Sequence, residues 1–399
     1  MKVDISKWEL KTLGDVCTFK RGLTYPKTEE SAVITSNVVL RSNNIDLNTC
    51  ALVFNELKYL SDLYNIPNER KLVKDSILMC MSNGSSAHIG KVAYIDKDYD
   101  YAFGGFMGLI IPNNINPKFL YYKYRSESFK TFLGKIGNGI NITNLKFSSI
   151  SPLPIYVPTL AEQEVIVREL NALQEMIDGY KAQIMDLDEL IESIFNKTFG
   201  DISINDMNWE ITSMGKLGNF KNGLNYEKGE KGKVLKFIGV GDFQNNKYLS
   251  SSSILSTIEL ERISEEYLLK DEDIVFVRSN GNKNLVGRCL EVFPNGIEVT
   301  YSGFCIRFRK TANIINKYLL SVLTDSSFKK THILKSNGIG IQNINQKLLS
   351  NLPIPIPPIE LQKKFESQVD SINTQKALLW EQLKDAEQLM AERMQYYFS

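Results

Sequence analysis

Near its start the chain reads Trp8-Glu-Leu-Lys-Thr-Leu-Gly14, and 201 residues later it reads Trp209-Glu-Ile-Thr-Ser-Met-Gly215. The match continues downstream, where Phe19-Lys-Arg-Gly22 has its counterpart in Phe220-Lys-Asn-Gly223. A repeat of this length is a complete domain with its connection, because the unit of a solenoid is only about 20–50 residues long. The chain is therefore predicted to contain two copies of one module.

The spacing between the repeated motifs changes along the chain. Ser82-Asn-Gly84 matches Ser279-Asn-Gly281 at an offset of 197 residues, compared with 201 at the opening motif. Insertions and deletions must therefore lie in the intervals 26–81 and 227–278, which also differ in sequence. Two domains that share a frame and differ within it are suited to binding two different partners of one class.

Each module begins as a mixed α/β domain. Short β-rich runs at Lys91–Ile95, Met107–Ile111 and Asp273–Arg278 are bounded by Gly, Asn or Pro. Each domain ends in a proline-rich segment, Pro152-Leu-Pro-Ile-Tyr-Val-Pro158 or Pro353-Ile-Pro-Ile-Pro-Pro358. Because proline stops a helix from starting earlier, a helix is predicted to begin after each of these segments.

A heptad pattern of apolar residues follows each proline-rich segment, with spacings that alternate between four and three. The first seam comprises Ile166, Leu170, Leu173, Ile177, Tyr180, Ile184, Leu187, Ile191 and Ile194. The second comprises Phe365, Val369, Ile372, Lys376, Leu379, Leu383, Ala386, Met390 and Arg393. Such narrow stripes over about four heptads indicate a coiled coil.

We therefore predict an α+β fold with two similar mixed α/β domains at 1–158 and 200–357. Two long spacer helices at 159–199 and 358–399 are predicted to form an antiparallel coiled coil about a pseudo-twofold axis. Polar seam residues cost stability but fix register. In that arrangement Arg393 is expected near Glu162 or Glu169, and Lys376 near Asp186.

Composition and charge restrict the classes of function. The five cysteines are scattered without a Cys-x-x-Cys pair, and there are only two histidines, which argues against zinc and disulfide chemistry. Segment 1–8 has no apolar signal core and no run approaches 18 apolar residues, so a cytoplasmic protein without a membrane span is predicted. The net charge of the whole chain is +1. Segments 160–198 and 359–399 have net charges of −6 and −2, so the rest of the chain has a net charge of +9. A basic remainder is what a phosphate-binding surface needs.

Motifs that would indicate an enzyme do not fit. Gly84-Ser-Ser-Ala-His-Ile-Gly90-Lys91 has five residues between its glycines, one more than a phosphate loop, and lacks the following Ser or Thr. Phe103-Gly-Gly-Phe-Met-Gly108 indicates a turn, and Asp271-Glu-Asp273 a turn before a strand. We predict no catalytic or metal site and no cofactor in this chain.

Three repeated polar segments are the candidates for DNA contact. The first comprises Lys20 and Arg21 with Lys221 and Asn222. The second comprises Ser82, Asn83, Ser85, Ser86 and Lys91 with Arg278, Asn280, Asn282, Lys283, Asn284 and Arg288. The third comprises Asn138, Asn141 and Asn144 with Asn337, Gln342 and Asn343.

These residue types are the ones that read duplex DNA. Asn and Gln pair with adenine, Arg and Lys pair with guanine, and loop amides bind phosphate. The same types also occur in turns that require a positive φ. We favour the turn interpretation for the glycines, and for the side chains both interpretations stay open.

The chain resembles the specificity subunits of type I restriction–modification systems over essentially its whole length. The resemblance rests on the Trp-Glu opening of each half and on the Ser-Asn-Gly-x5-Gly-Lys/Arg loop. It also rests on the closing segments Pro158-Thr-Leu-Ala-Glu-Gln163 and Pro357-Pro-Ile-Glu-Leu-Gln362, the second of which has Leu361 where Glu is usual.

The resemblance implies a non-catalytic subunit with two target-recognition domains, each reading one half of a bipartite, asymmetric site in double-stranded DNA. It also implies that the helices dock two modification subunits, which methylate adenine at N6, and that restriction subunits complete the assembly. S-adenosylmethionine, ATP and Mg are then expected in those partner subunits. Two alternatives are a coiled-coil adaptor that binds only proteins and a self-contained methyltransferase or nuclease.

Overall fold

The computed structural model describes residues 5–136, 144–226, 231–244, 248–250, 253, 255–333 and 343–399. The chain forms two compact units. Unit 1 consists of Met1–Lys181 and Trp380–Ser399, and unit 2 consists of Ala182–Leu379. Each unit therefore combines one α/β domain with half of each long helix.

Within the described residues, unit 1 contains ten strands, four whole helices and the first half of a fifth, long helix. The strands are β1 (Glu9–Thr12), β2 (Cys17–Arg21), β3 (Glu30–Ser31), β4 (Val38–Leu40), β5 (Lys58–Leu60), β6 (Ile77–Cys80), β7 (Val92–Tyr94), β8 (Tyr101–Phe103), β9 (Met107–Pro112) and β10 (Pro154–Val157). The helices are α1 (Leu13–Val16), α2 (Pro117–Arg125), α3 (Glu127–Ile136), α4 (Phe147–Ile150) and α5 (Leu160–Phe199), whose second half belongs to unit 2.

Unit 2 repeats this order of elements. Its strands are β11 (Glu210–Ser213), β12 (Gly218–Asn222), β13 (Lys233–Ile238), β14 (Tyr248–Ser250), β15 (Ser256–Leu260), β16 (Asp273–Val277), β17 (Cys289–Phe293), β18 (Val299–Tyr301), β19 (Cys305–Lys310) and β20 (Pro353–Ile356). Its helices are α6 (Met214–Leu217), α7 (Asn316–Thr324), α8 (Ser326–Phe328), α9 (Gln346–Ser350) and α10 (Ile359–Phe398), whose second half belongs to unit 1.

Each unit is built around what we call its frame sheet. The order β2-β9-β6-β7 in unit 1 returns as β12-β19-β16-β17 in unit 2, with every neighbouring pair antiparallel. The central strands β6 and β16 are buried along their whole length, which explains their continuous apolar runs. These two strands lie at the ends of the intervals 26–81 and 227–278, so the shared frame extends further than the repeated motifs indicated.

A second sheet in each unit, which we call the interval sheet, contains most of the variable strands. It has the order β3-β5-β4-β8 in unit 1 and β15-β13-β18 in unit 2. In unit 2 the interval strand β14 instead pairs with β17 at the edge of the frame sheet. Three strands of this sheet keep their order and directions, since β5-β4-β8 corresponds to β15-β13-β18. The differences between the intervals add β3 to this sheet in unit 1 and β14 to the frame sheet in unit 2.

A buried glutamine attaches the start of each long helix to its domain. The Gln163 side chain donates to the Pro158 carbonyl at 2.8 Å and accepts from the Asn116 amide at 2.7 Å. Gln362 likewise donates to the Pro357 carbonyl at 2.8 Å and accepts from the amide of residue 315 at 3.0 Å. The glutamine of the repeated closing motif thus has the same structural function in both copies.

The long helices pair antiparallel within each unit. In unit 2, Phe195 near the end of α5 packs against Phe365 near the start of α10, with ring centroids 5.5 Å apart. In unit 1, Lys181 of α5 forms an ion pair with Glu387 of α10 at 2.8 Å. All sixteen apolar residues of the two seams, including Ala386, are buried or half-buried.

The polar seam residues are both paired with carboxylates. Arg393 forms an ion pair with Glu169, as predicted, and Tyr397 donates a second hydrogen bond to this carboxylate at 2.6 Å. The predicted partner of Lys376 was wrong, because its ammonium lies 2.8 Å from Asp188. Asp186 is two residues earlier and therefore about 200° away around the helix, on the exposed side.

Candidate nucleic-acid interface

In unit 1 the polar segments converge on the turn between β8 and β9. The amide of Gly22, which directly follows Lys20 and Arg21, donates to the Met107 carbonyl at 3.1 Å. The amide of Ser82 donates to the Phe106 carbonyl at 3.1 Å. Ser82 also forms an isolated antiparallel β-bridge with Asn144. This junction thus holds together segments that are about 60 residues apart in the chain.

Unit 2 builds the same junction at the turn between β18 and β19. The Gly223 amide donates to the Cys305 carbonyl at 3.0 Å, and the Ser279 amide to the Phe304 carbonyl at 3.4 Å. Ser279 forms an isolated antiparallel bridge with Asn343. The two units therefore bring homologous polar segments together through equivalent main-chain contacts.

The glycines of this junction have two different functions. Gly90 and Gly287 both have φ +77°, which agrees with the turn interpretation, but Gly84 does not lie in that region of φ. Gly22 and Gly223 are instead required for close approach. A Cβ atom there would lie 1.9 Å and 2.0 Å from the carbonyl oxygen of the opposing turn.

The candidate side chains differ in how accessible they are. Those that are exposed are Arg21, Ser85, Ser86, Asn144, Asn222, Asn282, Asn284 and Asn343. Those that are half-buried are Lys20, Ser82, Asn83, Lys91, Lys221, Arg278, Asn280 and Arg288. Asn138, Asn141, Asn337 and Gln342 lie outside the described residues, and Lys283 is described only as part of a short 3-10 turn.

Asparagine side chains shape the Ser-Asn-Gly loop in both units. The Asn83 Oδ1 accepts from the Ser85 amide at 2.9 Å, and its Nδ2 donates to the Ser42 hydroxyl at 2.8 Å. The Asn280 Oδ1 accepts from the Asn282 amide at 2.7 Å. These contacts are Asx turns, which fix the loop conformation and leave the following polar side chains exposed.

The repeated cation of the Gly-Lys/Arg motif reaches into the variable interval. The Lys91 ammonium donates to the Ile45 carbonyl at 2.7 Å, and burial lowers the pKa of Lys91. The Arg288 guanidinium donates to the carbonyls of Phe243 and Gln244 at 3.2 and 3.0 Å. In both units this cation attaches the interval to the frame.

The end of the first frame strand differs in charge between the units, because Arg21 of unit 1 corresponds to the neutral Asn222 of unit 2, while Lys20 corresponds to Lys221. The Lys221 ammonium forms an ion pair with Glu266 at 2.5 Å and lies 4.5 Å from the centre of the Tyr267 ring. Arg21 of unit 1 is exposed at the end of β2. The two copies of the junction therefore offer different charges to a ligand.

Sequence reasoning missed one feature of the junction. Phe106 and Phe304 are 71% and 62% exposed, although both are large apolar side chains. On sequence grounds Phe103-Gly-Gly-Phe-Met-Gly108 indicates only a turn. The signal that could have identified them is the match of Phe103-Gly-Gly-Phe106 to Tyr301-Ser-Gly-Phe304 in the second half.

The described part of the chain contains no group of three His, Cys, Asp or Glu residues that could hold a metal ion. None of its helices is long and apolar enough to cross a membrane. Burial raises the pKa of the Cys17 thiol to about 12 and that of Cys80 to about 11, so neither is a ready thiolate. The junctions present amides, hydroxyls, cations and aromatic rings, which are the groups of a recognition surface.

A duplicated domain that presents such groups through the same main-chain contacts in both copies is typical of recognition proteins. A family model described as the type I restriction modification DNA specificity domain matches residues 5–187 and 207–385, and the chain therefore belongs to this family of specificity subunits. The predicted family, α+β architecture and recognition function are confirmed.

Two relatives match most of the chain. The StySPI specificity subunit of a type I restriction enzyme from Salmonella potsdam is 25% identical over 389 residues, which cover 92% of this chain and 82% of the relative. The EcoKI specificity subunit from Escherichia coli strain K12 is 25% identical over 399 residues, with the same coverage of 92% and 82%.

A solved structure also shares the fold. The type I restriction–modification S subunit from M. genitalium has a TM-score of 0.56 and 16% identity, with 100% of this chain and 98% of that chain covered. A second structure, from a study of complex assembly and conformational transition of the type I system, has a TM-score of 0.56 and 16% identity, with 98% and 97% covered.

Proposed function

We propose that each α/β domain reads one half of a bipartite, asymmetric site in double-stranded DNA through what we call its recognition surface. In unit 1 this surface comprises Arg21, Ser82–Ser86 and Asn144. In unit 2 it comprises Asn222, Ser279–Asn284 and Asn343. The observation that carries the proposal is that both units assemble the same three segments through equivalent hydrogen bonds, although the intervals beside them differ.

We assign different functions to the candidate residues. Arg21 and the exposed amides can donate to base edges and phosphates, because their polar groups are accessible to solvent. Lys91 and Arg288 position the interval against the frame, because their cationic groups donate to interval carbonyls. Asn138, Asn141, Asn337 and Gln342 remain candidates on sequence grounds.

The domain boundaries are also part of the proposal. We place the recognition domains at 1–158 and 200–357 and the spacer helices at 159–199 and 358–399. The helix bounds Leu160–Phe199 and Ile359–Phe398, together with the buried glutamines at both helix starts, support this division.

A type I specificity subunit acts with DNA and with other subunits of its system. We propose that two modification subunits dock on the helices of this chain, since the module is duplicated, and that restriction subunits bind the resulting complex. S-adenosylmethionine, ATP and Mg then act in those subunits, and the complex works in the cytoplasm.

The test uses the full chain assembled with its modification subunits. Methylated adenines are first mapped in the host genome, which identifies the bipartite site. Duplexes with either half-site scrambled are then titrated against the complex at several salt concentrations. We expect salt-dependent binding that weakens by roughly 10³-fold or more when a half-site is lost. A complex that shows no salt-dependent duplex binding would instead support the protein-only adaptor.

A further inference from the structure

Two exposed phenylalanines lie at equivalent positions directly beside the two recognition surfaces. Phe106 and Phe304 are each the last residue of the turn that joins the segments, with exposed fractions of 71% and 62%. Single exposed apolar residues are common and need no explanation. Two large aromatic side chains that are exposed at equivalent positions of both copies do need an explanation.

The main chain at each phenylalanine is fixed. The Phe106 carbonyl accepts from the amides of Met81 and Ser82 at 2.9 and 3.1 Å. The Phe304 carbonyl accepts from the amides of Arg278 and Ser279 at 2.7 and 3.4 Å. Each ring therefore projects from a turn whose backbone is already ordered, which lowers the entropic cost of contact with a ligand.

The core does not require these two rings. The aromatic residue three positions earlier, Phe103 or Tyr301, is fully buried in its unit. The glycine before each exposed ring allows the turn to lie close to the preceding segment. A Cβ at Gly105 would lie 3.0 Å from the Thr24 hydroxyl, and one at Gly303 would lie 1.9 Å from the side chain of residue 225. The turn is thus shaped to bury one aromatic ring and expose the next.

We propose that Phe106 and Phe304 are base-contacting residues, one for each half-site. A phenyl ring cannot hydrogen-bond a phosphate, but it can pack on a thymine methyl group or on the face of an unstacked base. The polar groups around each ring, such as Arg21 and Asn144 in unit 1, would hold the duplex against it. This inference rests on the proposed function, because it requires that the recognition surfaces contact duplex DNA.

The test compares alanine variants with matched controls in the full complex. We expect F106A and F304A each to weaken binding roughly ten- to hundredfold, with an unchanged dependence on salt because no ion pair is removed. F106L should retain most of the affinity. L63A and I204A are the controls, since these apolar side chains are 95% and 72% exposed but lie outside the recognition surfaces; both should bind as the unmodified chain does.

Two substitutions in the DNA distinguish the two base contacts. Deoxyuridine in place of each thymine removes one methyl group, and weaker binding to one such duplex identifies a methyl contact. An increase of 2-aminopurine fluorescence on binding, lost in the alanine variant, identifies an unstacked base. The F106A effect should disappear on a duplex whose unit-1 half-site is scrambled, whereas the F304A effect should persist.

The possible results separate this inference from the proposed function. If the unmodified complex binds duplex DNA in a salt-dependent way and both alanine variants bind equally well, the inference is wrong and the proposed function stands. If the alanine variants lose affinity but neither DNA substitution has an effect, the rings do not contact bases. If the unmodified complex does not bind duplex DNA, the proposed function itself fails.

Discussion

The frame sheet and the interval sheet of this protein diverge to different degrees between its two units. The four strands β2-β9-β6-β7 return in the same order and directions in unit 2. In the interval sheet β5-β4-β8 returns as β15-β13-β18, while β3 of unit 1 has no counterpart among the described residues and β14 of unit 2 joins the frame sheet. The junction that assembles the recognition surface belongs to the frame, and the variable strands lie beside it. Sequence differences can therefore accumulate in the interval while the support of the recognition surface is preserved.

The largest expected effect comes from exchanging one domain. Replacing residues 209–358 with the equivalent region of a relative should change one half-site completely and leave the other unchanged. The reason is that each unit assembles its recognition surface from its own frame and interval. Methylation mapping of the exchanged system measures both half-sites at once. A change in both would show that the two domains do not read DNA independently.

A second comparison concerns the unfolding free energies of alanine variants at two repeated glycines of the first half, Gly22 and Gly84. G22A should lower the free energy of unfolding by about 2–3 kcal/mol, because its Cβ would lie 1.9 Å from the Gly104 carbonyl oxygen. G84A is the matched control, since no described residue other than its chain neighbours has an atom within 4 Å of that Cβ, and it should change the free energy of unfolding by less than about 0.5 kcal/mol. Denaturant unfolding of both variants gives the answer. Equal midpoints would mean that the frame tolerates a displaced turn.

The overall organisation could be predicted from the sequence because the repeat and the heptad pattern are local signals. The contact between Ser82 and Asn144 could not be predicted from the sequence, since it depends on the order in which distant strands pair. The repeat marks Phe106 and Phe304 as matching positions, but only the tertiary structure shows that Phe103 faces the core and Phe106 faces solvent. The partner of Lys376 was wrong by two residues because heptad spacing defines the seam but not which flanking carboxylate faces it.

A third comparison concerns equivalent positions of α2 and α7. Lys123 is buried in unit 1, where its ammonium donates to the Phe398 carbonyl at 3.1 Å, whereas the matching position of unit 2 is the buried Val322. Burial lowers the pKa of Lys123 to about 8 from its ordinary value of 10.5. The folded protein therefore binds fewer protons than the unfolded chain between these two pH values, and stability should rise with pH across that range.

K123M should remove this contribution to the pH dependence. We expect the free energy of unfolding of the unmodified chain to rise by about 1–3 kcal/mol relative to the variant between pH 8 and 10.5. V322M, which adds no charge, is the control and should follow the unmodified chain. Parallel curves for K123M and the unmodified chain would show that Lys123 does not titrate in this range.

The smallest expected effect is a difference in unfolding free energy between variants of the two polar seam residues, Arg393 and Lys376. The Arg393 guanidinium is hydrogen-bonded to Glu169 and to the Tyr397 hydroxyl, so R393M should cost about 0.5–1 kcal/mol of unfolding free energy at neutral pH. Lys376 has one ion pair in the seam, and K376M should be neutral or stabilising because an apolar seam residue packs better.

The pH dependence of the Arg393 pair sharpens this difference. The hydrogen bond from Arg393 holds the pKa of Glu169 below its ordinary value of 4.5, aided by the bond from Tyr397. A carboxylate with a lowered pKa contributes stability above its ordinary pKa and loses it as the pH falls through the pKa of the folded state. The cost of R393M should therefore be constant near neutral pH and shrink as the pH falls below 4.5.

E169Q should reproduce the loss of unfolding free energy, and the double variant should cost no more than either single one, because the two side chains act through one shared contact. Additive losses would instead mean that each residue stabilises the coiled coil on its own, and that this pair does not fix its register.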